Sequence, residues 1–249
     1  IEDIEALEEV EEVLIETQYY PDVLKDTLPL DPNMATSSLQ IGSQNAWDSG
    51  CTGAGSRIAV IDTGTDDDHQ SFSEAGYLHS MEALAEAEGM SFDDYAESLN
   101  LLTWEEIDSV KHKLNAGTAY NGQSSVMPIT QQAYLNAKLP FAYNYVDSDY
   151  EINHDNDKQG EHGSHVAGIA TANKYIKTAD GFVKALEYPM ALTQGVAPDA
   201  QLITMKVFGK GGGAYDSDYM VAIEDAIVLK ADAINLSLGS GNPGASKSS

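Results

Sequence analysis

Cysteine is nearly absent from this 249-residue sequence, in which Cys51 stands alone. A single thiol can form neither a disulfide nor a thiolate zinc site within the chain. Basic residues are also scarce, 13 against 40 acidic, giving a net charge of −27. Nucleic acid and anionic membranes require clustered Lys and Arg to neutralise phosphate, so neither is an expected partner. No run of about eighteen apolar residues occurs, so no segment reads as a membrane span. Residues Ile1-Glu2-Asp3-Ile4-Glu5 offer neither an initiator Met nor a basic-then-apolar leader. Such an abrupt start is expected of a chain cut from a longer one. The acid is spread along the chain and reads as a solubilising surface, with divalent-cation binding as the alternative.

What is present has the proportions of a soluble globular protein, 42% hydrophobic and 21% charged. The length allows one large α/β domain or two small ones. In residues 1–20, Ile1, Ile4, Leu7 and Val10 form a helical stripe, and Val13, Ile15, Thr17 and Tyr19 then alternate as in a strand. Pro21, Pro29 and Pro32 make residues 21–35 a linker. From residue 36 the pattern alternates. A short helix is expected over 38–47 and a buried strand over 57–62. Residues 72–138 form a helical, acidic insert with Trp104, Ile107, Val110 and Leu114 at helical spacing. Further strands are expected at 141–146, 202–207 and 233–238, and helices at 165–174 and 217–229. Apolar strands separated by helices predict an α/β fold, a parallel sheet sandwiched by helices.

Asp62 ends the buried strand Arg57-Ile58-Ala59-Val60-Ile61-Asp62 and is followed by Thr63-Gly64. Functional groups in parallel sheets gather at the carboxyl ends of strands, where a desolvated carboxylate can hold an imidazolium partner. An Asp that only caps the turn is the alternative. The second element is His162-Gly163-Ser164-His165-Val166-Ala167-Gly168. Its histidines could be packed core residues, or metal ligands on one helical face. The His-Glu-x-x-His spacing of zinc proteases is missing, and Glu161 precedes the pair instead of lying within it.

These two elements, in this order, resemble the subtilisin-like serine proteases. Gly195-Val196-Ala197-Pro198-Asp199-Ala200 and Ala233-Ile234-Asn235-Leu236-Ser237-Leu238-Gly239 resemble two further family segments. The long Asp62-to-His162 separation, the 141–146 strand and the acidic stretch 147–157 are similar to the Gram-positive cell-envelope branch, the lactocepin and C5a-peptidase group. The resemblance implies a serine endopeptidase in which Asp62 orients His162 and His162 relays the proton of a serine. It implies that Ser237, Leu238 and Gly239 pair with an extended protein or peptide substrate, with Gly211, Gly212 and Gly213 as the opposite wall. It further implies that residues 1–20 are the tail of the protein's own inhibitory propeptide, that processing falls within 21–37, and that residues 36–249 are the N-terminal part of the catalytic domain. Secretion or attachment to the bacterial cell surface is expected with it. An insert between the two catalytic motifs suggests a role in substrate recognition or gating, against a plain surface decoration.

The family's oxyanion Asn and nucleophilic Ser are expected after Gly239. Ser246, Ser248 and Ser249 precede no apolar helix, so none resembles an activated nucleophile. The chain alone is therefore expected to be inert and to depend on the remaining C-terminal part of the domain. The alternative is a pseudoprotease that binds peptides. No cofactor is needed for catalysis. Structural calcium on Asp147, Asp149, Glu151, Asp155 and Asp157 stands beside the simpler reading of an exposed acidic loop.

Overall fold

The computed structural model describes residues 10, 13, 18–21, 34–119, 125–153, 160–188, 193–209 and 213–239. In chain order the elements are β1 (Gln18–Pro21), α1 (Met34–Ile41), α2 (Ser43–Asp48), β2 (Arg57–Asp62), α3 (Glu74–Glu88), α4 (Phe92–Leu99) and α5 (Trp104–Val110). There follow β3 (Phe141–Asn144), α6 (His162–Thr171), β4 (Tyr175–Thr178), β5 (Gly181–Lys184) and β6 (Gln201–Lys206). The last are β7 (Ala214–Tyr215), α7 (Asp216–Val228), β8 (Ala233–Leu236) and β9 (Leu238–Gly239).

The central sheet has the order β3-β6-β2-β8 and is parallel throughout. Strands β2, β3 and β6 are buried on both faces, as a sheet covered on both sides requires, whereas β8 at its edge is largely exposed, Ile234 and Leu236 included. Ala59 and Ile61 of β2, with Ile203 and Met205 of β6, share a core with Ala222 and Ala226 of α7. Val60 and Leu202 face the other way, toward Ala167 of α6 and Phe72. Pairing runs in step from Arg57 opposite Gln201 to Asp62 opposite Lys206. The register therefore sets two polar side chains level at the carboxyl end of an apolar sheet.

The insert does more than decorate a surface. Its second half contributes Leu102, Ile107, Leu114, Ala116, Ile129 and Ala133 to the larger core. The buried Asp225 carboxylate of α7 accepts from the amides of Asn115 (2.6 Å) and Ala116 (2.8 Å) and from the Tyr145 hydroxyl (2.9 Å). Arg57 donates to the carbonyls of Asn100 (2.7 Å) and Leu229 (3.0 Å) and meets Glu106 at 3.3 Å. Gln201 holds Leu102 through both its amide and its carbonyl. These contacts put residues 100–106 at the amino ends of β2 and β6, the end of the sheet opposite Asp62.

Several boundaries differ from the sequence expectation, each for a local reason. The helix expected over 38–47 breaks into α1 and α2 at Gly42, whose φ of 77° lies in the left-handed region. Helix α6 begins at His162 and not at residue 165. The strand expected over 233–238 leaves the central sheet after Leu236, and β9 pairs elsewhere. A hairpin, β4–β5, was not expected at all. Its signal was the Ala179-Asp180 turn before Gly181, between two β-rich runs.

Candidate active site

The geometry begins with two glycines. A Cβ on Gly163 would stand 2.1 Å from the Gly64 carbonyl oxygen, and one on Gly64 would stand 1.9 Å from the Ile152 carbonyl oxygen. Only bare backbone lets the first turn of α6 rest on the loop after β2 at this range. The Thr63 hydroxyl accepts from the Gly163 amide at 2.8 Å, and the Ser164 hydroxyl accepts from the Asp66 amide at 2.8 Å. Lys206, level with Asp62 on the neighbouring strand, donates its ammonium to the Thr63 carbonyl at 2.6 Å and to the Asn153 carbonyl at 3.4 Å. Loop, strand and helix are thus fastened by groups that flank Asp62 and His162.

Within that frame His162 Nδ1 donates to Asp62 Oδ1 at 2.7 Å. The Thr63 amide donates to the same oxygen at 2.7 Å. The Asp62 side chain is fully buried, whereas His162 keeps 14% of its side-chain surface exposed. A buried carboxylate thus fixes one ring nitrogen and leaves the ring reachable from outside. Burial raises the Asp62 pKa, against the opposing effects of the His162 hydrogen bond and the Thr63 amide. His165 is exposed on the same helix.

The second component is a groove. β1 lies between β7 and β9, antiparallel to both. Gln18 and Tyr19 pair with Tyr215 and Ala214 on one side, and Tyr20 and Pro21 pair with Gly239 and Leu238 on the other. Gly213 supports the Gln18 side chain, since a Cβ there would stand 2.3 Å from Gln18 Nε2. Gly211 and Gly212 lie outside the described residues. Leu238 and Gly239 are in the ladder, and Ser237, just before it, donates its hydroxyl to Asn235 Oδ1 at 3.0 Å.

The acidic loop is only partly described, with Asp155 and Asp157 outside the described residues. Asp147 accepts from the Asn144 side chain (3.1 Å) and Asp149 from the Glu151 amide (3.0 Å). Among the described residues no group of three or more His, Cys, Asp or Glu side chains stands together as a cation site. Sequence reasoning missed Lys206, although a lysine inside the apolar run 202–207 was a visible anomaly. Thr63, beside Asp62 in the sequence, likewise gave no sign of its contacts with Asp62 and Gly163.

The site is thus an Asp at the carboxyl end of a parallel strand, hydrogen-bonded to a His that opens a helix of the next layer. Residues 53–249 match the subtilase family, and the chain belongs to that family. It is 29% identical over 245 residues to the minor extracellular protease Vpr of Bacillus subtilis (strain 168), covering 94% of this chain and 21% of that protein. It is 40% identical over 110 residues to the PI-type proteinase of Lactococcus lactis subsp. cremoris, covering 43% of this chain and 5% of that protein. Against the C5a peptidase of Streptococcus pyogenes it is 27% identical over 188 residues, covering 75% of this chain and 12% of that protein. The chain thus spans about a fifth or less of the length of these relatives. Among the described residues no helix is long and apolar enough to cross a membrane.

Proposed function

We propose that the chain supplies the Asp and His of a serine endopeptidase, Asp62 as the orienting carboxylate and His162 as the general base. The observation that carries this reading is the 2.7 Å bond between a fully buried Asp62 and a partly exposed His162 at the sheet edge. With Nδ1 committed to Asp62, His162 Nε2 takes the proton of a serine hydroxyl as that oxygen attacks the scissile carbonyl. The tetrahedral intermediate collapses as the imidazolium returns the proton to the departing amine, and water then releases the acyl group by the same route. Asp62 remains ionised and balances the charge of the imidazolium. The serine and the oxyanion donor are assigned to parts of the whole protein beyond Gly239. The side chains named suffice for this chemistry, and calcium, if held on the acidic loop, has a structural role only.

The groove between β7 and β9 is the substrate cleft in this reading, because a peptide that lies there gains backbone pairing on both edges. Gln18–Pro21 then occupies it as the end of an inhibitory propeptide. Secretion or residence at the cell surface goes with the protease-named relatives. The test is labelling of the whole protein by a serine-directed phosphonate, with His162→Ala abolishing it and Asp62→Asn lowering turnover about 10⁴-fold. A folded whole protein that binds peptides yet takes no label would instead be a pseudoprotease, and chelator-sensitive, phosphonate-insensitive hydrolysis would replace the relay with metal chemistry.

A further inference from the structure

Lys206 stands in a strand that is otherwise core, across from Asp62 in the sheet register, and is itself buried. Burying an ammonium is costly unless its protons are shared. Here they reach the Thr63 carbonyl at 2.6 Å and the Asn153 carbonyl at 3.4 Å. Thr63 is where the two halves of the relay meet. Its amide donates to Asp62 Oδ1 at 2.7 Å, and its hydroxyl accepts from the amide of Gly163, the neighbour of His162, at 2.8 Å. Asp62 Oδ2 is buried and has no hydrogen-bond partner among the described residues. The carboxylate is therefore held at Oδ1, by Thr63 and by His162. A tilt of Thr63 would move both members of the relay, and the ammonium on its carbonyl opposes that tilt.

We propose that Lys206 is a positioning residue for the relay, acting through Thr63. This deepens the reading of Asp62 and His162 as a proton relay and rests on it. Buried as it is, the ammonium acts on the backbone and not on substrate, holding the turn after β2 so that the Asp62–His162 bond keeps its geometry. Lys138 is the contrasting case. It is equally buried and donates to the carbonyls of Thr171, Pro198 and Ala200. Among the described residues none of those three bonds to Asp62 or His162.

The test compares Lys206→Met with Lys138→Met in the active whole protein, each corrected for its folded fraction by urea unfolding. Methionine keeps the apolar stem and removes the charge with its protons. Lys206→Met should lower kcat about 10- to 100-fold with KM within about twofold, and Lys138→Met should keep both. A lysine that only stabilises the fold would give the two variants the same kinetics, and that result overturns the proposal. Amide exchange decides the same point without catalysis. Lys206→Met should speed exchange at Thr63 and Gly163 about tenfold relative to Lys138→Met. If no peptide is cut but exchange behaves this way, the positioning role stands and the endopeptidase reading falls. Exchange unmoved at both amides overturns the role whatever the protease does. If Lys206→Met does not fold, Thr63→Val carries the test, because it keeps the Thr63 amide and carbonyl and removes the acceptor of the Gly163 amide. It should lower kcat about tenfold at unchanged KM. Full turnover in Thr63→Val breaks the path from Lys206 to His162 and overturns the proposal.

Discussion

Replacing Gly163 with alanine inserts one methyl group where the structure has no room. The new Cβ would lie 2.1 Å from the Gly64 carbonyl oxygen, 2.9 Å from the Gly64 nitrogen and 3.1 Å from its carbonyl carbon, all backbone atoms. Restoring an ordinary contact requires the first turn of α6 to retreat by about 1 Å. His162 rides on that turn, so the 2.7 Å bond to Asp62 lengthens by a comparable amount. Misplacement on that scale costs about 100-fold in turnover, and overpacking costs about 1–3 kcal/mol in stability. Gly168 on the same helix is the matched control, because a Cβ there meets nothing within 4 Å. Gly168→Ala should keep full activity and gain about 0.5–1 kcal/mol from the mid-helix exchange. The assay is kcat/KM of the whole protein on one peptide, with urea unfolding and phosphonate labelling of the folded fraction to separate misplacement from misfolding. A Gly163→Ala protein that is folded and as active as Gly168→Ala would refute the claim that glycine contact sets the Asp62–His162 distance.

Other consequences can be checked separately. Lys138 is fully buried and its ammonium donates to the carbonyls of Thr171 (2.7 Å), Pro198 (2.9 Å) and Ala200 (2.8 Å). Burial pulls its pKa down to about 7, with Asp199 pulling the other way. The unfolded chain holds this proton up to about pH 10.4, so between about pH 7 and pH 10 it binds more protons than the native state and stability rises with pH. Urea unfolding at pH 7 and pH 9 should show that rise in the natural protein and not in Lys138→Met, which also loses about 1–3 kcal/mol for each carbonyl left without a donor. Ile107→Ala should cost about 2–5 kcal/mol through its cavity while leaving cleavage preferences unchanged, because that part of the insert packs far from Asp62; an altered preference with normal stability would contradict its placement. Amino-terminal sequencing of the active secreted protein should find a start within residues 21–37, and a start upstream of Ile1 would count against the propeptide reading.

The four central strands were legible because each is a β-branched or apolar run, though only three of them are covered on both faces, and the order of helices between them allows little but a parallel sheet. Asp62 and His162 were legible because a charged residue at the end of such a run, and a histidine beside a glycine at a helix start, break the surrounding pattern. The helical rows Trp104, Ile107, Val110 and Leu114 were also visible. Their destination was not, because periodicity reports that a face is buried without naming what buries it. Proximity in sequence to Asp62 and His162 suggested the cleft, whereas Arg57 and Gln201 tie residues 100–106 to the far end of the sheet. The Gly64–Gly163 contact links positions about a hundred residues apart and cannot be read from either glycine alone.

Lys138 has one more consequence. Clusters of backbone carbonyls often recruit a dissolved cation, and their integrity then follows the composition of the medium. Here the donor nitrogen is covalently leashed to the chain, so dialysis or a chelating agent does not remove it from the carboxyl end of α6. The vulnerability passes to amine chemistry, and an acylating reagent should reach this nitrogen only at the rate at which the surrounding structure breathes open.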